Sequence, residues 1–423
     1  MLTMSASQAA PAAHVLLGRK AGVIVFLAFA AAYFCSALGR SITATLSPVL
    51  TQEFSLQARD LGLLAGGYFL GFAAIQLPLG KWLDRHGPKR VILCFLTVAV
   101  LGCLAFSVAS SFAGLLAARV LVGIGVGACL MAPLTGYRRW FGAVTQLRAN
   151  SWMLMTGSLG MLSSTLPVQW LLPLLGWRPM FWILAALIVL SMAAIARVTP
   201  AWPRRQPAPA EADSSSYAEV WRSRYFRKML PLAIFNYGGM VAMQTLWATP
   251  WMIRVAGYSP LEAAKGLFYI NATMLVTFWS WGMVNPWLAR NGWNANRLIG
   301  WGVPISLLVL VVNIYGGAST GWLGWALFCM SSSSLGLAQP AIGMAFRPAL
   351  AGRALSAYNL GIFGGVFAVQ WGIGLMIDAF AAAGLGTIAS FQAAMLVFLC
   401  CCIASYGYFV HVKADNLQVG NGS

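Results

Sequence analysis

The chain has 423 residues, of which 60% are hydrophobic and 9% are charged. Soluble domains carry charge on about a quarter of their residues, so this composition excludes an ordinary soluble protein. The net charge of +18 does not indicate a nucleic-acid partner, because most lysine and arginine residues lie in the short segments that separate long apolar runs.

The apolar runs are long enough to be transmembrane helices. A helix needs about 20 residues to cross the hydrocarbon core of a bilayer, and twelve runs approach or exceed this length. They cover residues 21–47, 61–80, 90–110, 112–136, 150–172, 179–196, 229–253, 262–286, 297–316, 321–344, 355–378 and 386–410. The sequence therefore predicts an all-α integral membrane protein with twelve transmembrane helices, six in each half.

A polar connector separates the two halves. We predict an N-terminal six-helix half at residues 1–197, a mobile cytoplasmic linker at 198–227, a C-terminal six-helix half at 228–411 and a cytoplasmic tail at 412–423. The excess of basic residues on one side predicts a bacterial inner-membrane protein with both termini in the cytoplasm. The first apolar run lacks the pattern of a cleavable signal peptide.

Two loops repeat one motif about half a chain apart. Residues 82–87 have the sequence WLDRHG, and residues 287–292 have the sequence WLARNG. Each loop is short, basic and placed between two long apolar runs. Because an internal repeat of hydrophobic helices is typical of carriers with two rocking halves, we expect two pseudo-symmetric halves.

The first of these loops lies within a longer motif. From Gly80 to Arg90 the sequence is GKWLDRHGPKR, which resembles the signature loop of the major facilitator superfamily. Residues 119–125 in the fourth run and residues 176–178 at the start of the sixth resemble further motifs of that family. The resemblance implies two six-helix halves around a central cavity and transport by alternating access. It also gives Arg119 a role in helix packing and coupling.

The signature loop has a physical interpretation of its own. Asp84 is placed to cap a cytoplasmic helix end and to pair with Arg85, with Arg90 or with the N-terminus of a helix in the opposite half. Such contacts would latch the cytoplasmic side closed in one state and break in the other. Gly80 and Gly87 would allow close helix approach and a tight turn. Since the second copy of the motif has alanine in place of the acid, we expect a one-sided latch.

The charges within the predicted spans are all positive. None of the nine acidic residues and none of the three histidines lies in mid-span, whereas Arg40 and Arg119 do. An arginine within the hydrocarbon costs about 2.5–3.5 kcal/mol on insertion scales. Because Arg40 has no embedded carboxylate nearby, we interpret it as the anchor of an anionic ligand. The alternative is a structural role, bound to backbone carbonyls or to the outer headgroups.

Polar residues continue one face of the first span around Arg40. Tyr33, Ser36, Arg40, Thr43 and Ser47 recur at spacings of three and four, which places them on one side of a helix. The corresponding stripe in the seventh span would turn Gln244 toward Arg40. With polar or aromatic residues of other spans, the candidate substrate-binding set is Arg40, Tyr33, Ser36, Gln76, Asn236, Gln244, Trp247, Asn271, Tyr358, Asn359 and Gln370.

These features favour a secondary active transporter of a small organic anion, either a carboxylate or a phosphorylated metabolite. Arg40 would hold the charge of the substrate, and Trp247 would stack on any apolar part. With no embedded acid or histidine, a coupling proton would enter on the substrate, or the protein would exchange anions or act as a uniporter. We expect a monomer whose partners are a small-molecule substrate and the lipid bilayer.

Other functions are compatible with parts of the sequence. An exporter of amphiphilic, drug-like or metal-chelating compounds would suit an aromatic-rich cavity, although the fifth run lacks the Gly-Pro-rich motif of the family's drug exporters. A copper carrier would use the sulfur atoms of Met240, Met243 and Cys35 as ligands. The sequence offers no third thiolate that converges on them, which counts against copper. A non-transporting receptor or assembly factor would not need a breakable latch. The eight cysteines lie in apolar runs as small hydrophobic residues, and no enzyme site, metal set or cofactor motif is visible.

Overall fold

The computed structural model describes residues 16–202 and 217–412, and all regular structure in these two ranges is helical. The central part of the predicted linker and the predicted tail after residue 412 lie outside the described residues. The N-terminal half contains α1 Arg19–Phe54, α2 Ala58–Ala74, α3 Gln76–Val108, α4 Phe112–Val126, α5 Met131–Trp140, α6 Ala143–Ser163, α7 Leu166–Leu175 and α8 Trp177–Val198.

The second described range begins with the end of the linker. Its helices are α9 Tyr217–Arg222, α10 Arg224–Pro231, α11 Gly238–Ala242, α12 Ala248–Arg254, α13 Pro260–Arg290, α14 Ala295–Gly316, α15 Gly321–Ser332, α16 Ala338–Ala345, α17 Pro348–Ala382 and α18 Thr387–His411. Two π-helical segments, Leu232–Tyr237 and Met243–Trp247, join α10 to α11 and α11 to α12. Two 3-10 segments, Gly317–Ser319 and Ser333–Leu337, lie before and after α15.

The prediction of an all-α membrane protein is confirmed, but fewer than twelve helices cross in one piece. Within the described residues, eight helical stretches are long and apolar enough to span a membrane, one of which consists of α4, a short turn and α5. The bent pair α6 and α7, with an angle of 43° between them, makes a ninth. The other three predicted spans are interrupted helices. The second breaks at Ile75 between α2 and α3, the seventh contains both π-helical segments, and the tenth contains a 3-10 segment between α15 and α16.

The helices pack in two connected halves. In the N-terminal half, α1 packs on α6 and α8, and α3 packs on α4 and α8. Gly123 lets α4 lie directly against α2, since a Cβ at this position would overlap the carbonyl oxygen of Tyr68. Contact between the halves is made mainly by α2 with α17 and by α1 with the π-helical segment Met243–Trp247. The aromatic rings of Phe72 and Phe363 meet there with 4.4 Å between centroids.

The two ends of this helix bundle differ in how tightly the halves meet. We call the end where α1 begins and α8 ends the basic face, and the end where α1 ends and α8 begins the opposite face. Toward the opposite face, α2 packs along α17, and α7 packs on α13. Toward the basic face, no extensive contact between α5 and α16 is found in the described structure, although α3 packs on α17. The α5–α16 pair is therefore less closely packed than the helix pairs of the opposite face.

Candidate substrate site and gates

Arg40 lies in α1 where this helix faces α6. Its Nη2 atom donates a hydrogen bond to the Sδ atom of Met161 at 3.4 Å, and its buried Nε atom has no hydrogen-bond partner. A thioether is a weak acceptor, so this contact compensates little of the guanidinium charge. No acidic side chain forms an ion pair with Arg40 in the described part of the chain. Among the residues that the structure describes, the guanidinium is neither bound to a backbone oxygen nor paired with a carboxylate.

Two tyrosines lie near Arg40, and a third, Tyr33, lies two helical turns before it in α1 and close to Tyr237. Tyr33 packs on α6 where Gly157 leaves room, because a Cβ there would stand 2.6 Å from the tyrosine ring. The phenol groups of Tyr68 in α2 and Tyr237 in the first π-helical segment lie within electrostatic range of Arg40. Since α1 and Tyr237 belong to different halves, the Arg40 guanidinium stands at the interface between the halves. The surroundings of a group in this position change when the two halves move relative to each other.

A second guanidinium lies behind the first. Arg119 is fully buried, and its Nη1 atom donates to the backbone oxygen of Gly39, the residue before Arg40, at 2.9 Å. Its Cζ atom is 5.3 Å from the centroid of the Tyr68 ring. The Nε and Nη2 atoms have no partner among the described residues. Buried charges in proteins are normally paired, so two adjacent cations without a carboxylate make this region strongly attractive to an anion.

Ser36, another candidate in α1, is bound to α2. The Tyr68 hydroxyl donates to the backbone oxygen of Ser36 at 3.0 Å, and the two hydroxyl oxygens are 3.3 Å apart. Tyr68 is thus hydrogen-bonded to Ser36 through its hydroxyl group, while its ring faces the Arg119 guanidinium. In the sequence nothing marks Tyr68 as a candidate, because it lies in an apolar helix without a polar stripe.

Gln244 makes no hydrogen bond to Arg40 among the described residues, although its π-helical segment packs on α1. Gln244 donates through Nε2 to the Oδ1 atom of Asn271 at 2.9 Å, so two candidates of the C-terminal half are bonded to each other. Gln370 donates to the hydroxyl of Thr245 at 3.0 Å. The indole N–H of Trp247 donates to the backbone oxygen of Gln370 at 3.0 Å, and this tryptophan has no exposed surface. These side chains hold the C-terminal half together in this conformation.

The remaining candidates lie in separate places. Gln76 donates to the backbone oxygen of Phe72 in the preceding helical turn. Three others contact further parts of the C-terminal half: Asn236 donates to Ser405 Oγ at 2.5 Å, Asn359 accepts from Gln339 at 2.7 Å, and Tyr358 packs edge-to-face on Phe226. Tyr33, Ser36 and Arg40 lie in one helix, α1, at spacings of three and four residues, whereas these four residues contact other parts of the protein.

The predicted latch is not formed in this conformation. Asp84, Arg85 and Arg90 are exposed, and within the described residues Asp84 makes no hydrogen bond or ion pair. Gly87 has φ 78° and ψ 161°, a region open essentially only to glycine, as a tight turn requires. Gly80 has no neighbouring atom within 4 Å of the place that a Cβ would take. The predicted close helix approach at Gly80 is therefore not seen.

The turn at Gly87 is held by the segment that follows α8. The indole of Trp202 occupies the space beside Gly87, where a Cβ would overlap the ring. The Nζ atom of Lys89 donates to the backbone oxygen of Thr199 at 3.1 Å, and the guanidinium of Arg139 stacks on the Trp202 ring at 4.3 Å. Trp202 therefore joins the signature loop to the ends of α5 and α8 on the basic face.

At the opposite face, an acid connects the two halves. The Asp378 carboxylate of α17 accepts hydrogen bonds from the backbone N–H groups of Ala58 at 3.1 Å and Arg59 at 2.9 Å. It thereby satisfies free donors in the first turn of α2, where the helix dipole favours a negative charge. The sequence does not reveal this role of Asp378, because its partners are backbone N–H groups at a helix end in the other half.

A second acid at the opposite face works within the N-terminal half. Glu53 near the end of α1 forms an ion pair with Arg178 at 2.7 Å and accepts from the indole N–H of Trp177 at 2.6 Å. The motif at residues 176–178 thus fixes the start of α8 to the end of α1. These contacts make α1 and α8 move together rather than apart.

Comparison with known proteins agrees with this architecture. The family model described as Major Facilitator Superfamily matches residues 29–369, and the chain belongs to this family. A structure of a bacterial homolog to the human lysosomal transporter Spinster, inward-facing and occupied, is 18% identical with a TM-score of 0.76 over 93% of this chain and 97% of that one. The D-xylose-proton symporter is 14% identical with a TM-score of 0.75 over 94% and 98%. These structures share the fold.

Sequence relatives with assigned names are distant. A probable L-galactonate transporter of Escherichia coli K12 is 24% identical over 60% of this chain and 59% of its own length. The multidrug resistance protein MdtL of Escherichia coli O45:K1 is 26% identical over 69% and 82%. Probable anion transporter 4, chloroplastic, of Oryza sativa subsp. japonica is 24% identical over 73% and 52%. The protein is a multi-pass membrane transporter that binds small molecules, not an enzyme.

Proposed function

We propose that this protein transports a small organic anion by alternating access, with Arg40 as the anchor of the substrate charge. The observation that carries the proposal is the state of the Arg40 guanidinium. It lies at the interface of the two halves, has a methionine thioether as its hydrogen-bond acceptor, and has no ion-pair partner among the described residues. An anionic substrate would supply the missing counter-charge.

The magnitude of the electrostatic effect supports an anion over a cation. Two unit charges 6 Å apart interact by roughly 3 kcal/mol at an effective dielectric constant near 20. An anion and a cation at the same place would therefore differ by about 6 kcal/mol, or on the order of 10⁴ in affinity. The second guanidinium, Arg119, adds to this preference because it also lacks a carboxylate partner.

The surroundings of Arg40 are aromatic. We propose that Tyr33 and Tyr237 bound the substrate from the two halves and that their hydroxyl groups contact its polar part. Gln244, Asn271 and Gln370 are already hydrogen-bonded to protein groups. Their contact with a substrate would require those bonds to break in another state of the transport cycle.

The different states of Asp378 and Asp84, at the two ends of the helix bundle, support alternating access. With the basic face as the cytoplasmic side of a bacterial inner membrane, the present conformation faces inward. Asp378 then holds the outer side closed through Ala58 and Arg59, while Asp84 has no partner on the cytoplasmic side among the described residues. We propose that the outward-facing state reverses this arrangement, so that the bonds of Asp378 break and Asp84 binds the opposite half.

The relatives give support to two substrate classes. Galactonate is a carboxylate, and the plant relative is called an anion transporter, so both names agree with an anionic cargo. The likeness to MdtL, a multidrug resistance protein, supports the second candidate, an exporter of amphiphilic compounds. We propose a monomer, with coupling through a protonated substrate or through anion exchange.

The proposal is tested by a thermal-shift screen of the purified protein. The panel contains sugar acids, dicarboxylates and sugar phosphates, together with lipophilic organic cations. A ligand that binds only the folded protein, present at a concentration of 100 times its Kd, stabilises the fold by about 2.7 kcal/mol and so raises the Tm. We expect anions of one class to raise the Tm and cations to leave it unchanged. A Tm raised by lipophilic cations and by no anion would contradict the proposal and favour the exporter.

A further inference from the structure

A groove of about 440 Å³ runs along the outside of the N-terminal half between α1 and α8. Its walls are apolar side chains from residues 24–35 of α1 and residues 187–198 of α8. Several of these side chains are exposed on the outside of the helix bundle, among them Leu27 with 58% and Leu190 with 65% of its surface exposed. In a membrane protein, such an exposed apolar surface faces lipid.

The length of the groove matches one leaflet of a bilayer. From Ile24 to Cys35, eleven helical steps of about 1.5 Å give a length of about 16 Å. The hydrocarbon of one leaflet is about half of 30 Å thick. Because α1 begins and α8 ends at the basic face, the groove lies in the leaflet on that side. It therefore has the depth and the apolar lining that an acyl chain of that leaflet requires.

The mouth of the groove is positively charged. Lys20 lies one helical turn before Ile24 and so shares its face of α1. Arg197 lies three residues after Ala194 and continues the wall formed by α8. Both cations are exposed, and neither has an ion-pair partner among the described residues. The first turn of α1 contains no acid, and α8 contains none along its whole length.

We propose that this groove binds one anionic phospholipid of the cytoplasmic leaflet. An acyl chain lies along α1 and α8, and the headgroup phosphate lies between Lys20 and Arg197. Basic sites between helices on the cytoplasmic side are suited to anionic headgroups, and each nearby cation adds to the attraction. A second copy of the chain fits less well, since a two-fold axis along the membrane normal would bring the same cations of both copies to one depth.

Native mass spectrometry with phosphatidylglycerol and phosphatidylcholine tests this site. In detergent-solubilised protein we expect one phosphatidylglycerol to bind more tightly than phosphatidylcholine. The variant Lys20→Gln/Arg197→Gln should lower the phosphatidylglycerol affinity about 10- to 30-fold, as expected for two headgroup-facing cations. Phosphatidylcholine binding should change little. Ala31→Phe, which fills the groove, should remove the bound phosphatidylglycerol even though both cations remain.

The matched control is Arg222→Gln/Arg227→Gln, which removes two exposed cations from the basic face outside the groove. This control should bind phosphatidylglycerol like the unmodified protein. Equal affinity in the control and in Lys20→Gln/Arg197→Gln would overturn the proposal, as would equal binding of both lipids by the unmodified protein. A dimer that Ala31→Phe dissociates would also overturn it, because the occupant would then be a second copy of the chain.

Discussion

The Asp378 carboxylate in α17 accepts a hydrogen bond at 2.9 Å from the backbone N–H of Arg59, which lies 319 residues earlier in α2. The bond joins the two halves at the opposite face, and the N–H of Ala58 donates a second one to the same carboxylate. Meanwhile Asp84, the acid of the signature loop, has no partner in the described residues. We call the two hydrogen bonds of Asp378 the clamp. The clamp joins the halves at the opposite face, whereas Asp84 at the basic face makes no such bond among the described residues.

Asp378→Asn should weaken the closure of the opposite face. Hydrogen bonds to a charged group contribute about 1.5–3 kcal/mol, so partial loss should shift the closed-to-open ratio roughly 10-fold. Spin labels at Gln52 and Ala383, in a variant without the native cysteines, measure the separation of the halves there. We expect a larger population of long distances. The control is Glu262→Gln, an acid at the same face that bonds only to nearby Ser259; identical distributions in Asp378→Asn and unmodified protein would contradict the clamp.

Asp84→Asn should act on turnover and leave this conformation intact. The side chain is exposed and without a partner here, so the Tm should not change. Loss of a carboxylate at a helix N-terminus in the other state should slow transport about 2- to 10-fold, while substrate affinity stays the same. Proteoliposome uptake and a separate binding measurement distinguish the two quantities. If turnover matches that of the unmodified protein, Asp84 is not a latch.

Gly87→Ala and Gly80→Ala form a matched pair in one loop motif. At Gly87 the backbone conformation is strained for alanine by about 1–3 kcal/mol, and the new Cβ would overlap the Trp202 indole. At Gly80 the helical backbone is surrounded by open space, so alanine should stabilise the helix by about 0.5–1 kcal/mol. We expect Gly87→Ala to lower the Tm and Gly80→Ala to leave it equal or higher. The reverse order would show that Trp202 does not hold the turn.

Arg119→Met should preserve or raise stability. The arginine is fully buried with one hydrogen bond and two unpartnered nitrogen atoms, and an apolar residue of similar size removes this uncompensated charge. Replacing a buried charge in this way is often neutral or stabilising by about 1–4 kcal/mol. Thermal unfolding in detergent measures the change, with Arg119→Lys as the charge-retaining control. A large loss of stability in Arg119→Met alone would show that the bond to Gly39 holds the half together.

The sequence was informative about elements and less informative about contacts. Apolar length predicted the helical character of the chain but not where the helices are interrupted, and the lack of embedded acids singled out Arg40 before any contact was known. The stripe that placed Gln244 opposite Arg40 assumed regular α-helix in the seventh span, whereas Gln244 lies in a π-helical segment that packs on α1 and donates to Asn271. Two π-helical segments, Leu232–Tyr237 and Met243–Trp247, change the number of residues per turn there. Positions three and four apart therefore do not stay on one face.

The other functional residues that the sequence did not reveal depend on contacts between distant parts of the chain. Asp378 binds backbone N–H groups of α2, and a backbone donor leaves no signal in side-chain patterns. Trp202 follows α8 in a segment rich in proline, where an indole that fills the space beside Gly87 cannot be told from an interfacial tryptophan. Tyr68 is one aromatic residue in an apolar helix. Each becomes recognisable only when the helices are in place.

The most direct test of the account is uptake of the anion identified in the thermal-shift screen by proteoliposomes containing Arg40→Gln. The matched control is Arg254→Gln, the same substitution at an exposed arginine at the end of α12. We predict that Arg40→Gln remains folded and takes up no more anion than empty vesicles, while Arg254→Gln transports normally. Uptake by Arg40→Gln at the rate of the unmodified protein would contradict the role of Arg40 as the anchor.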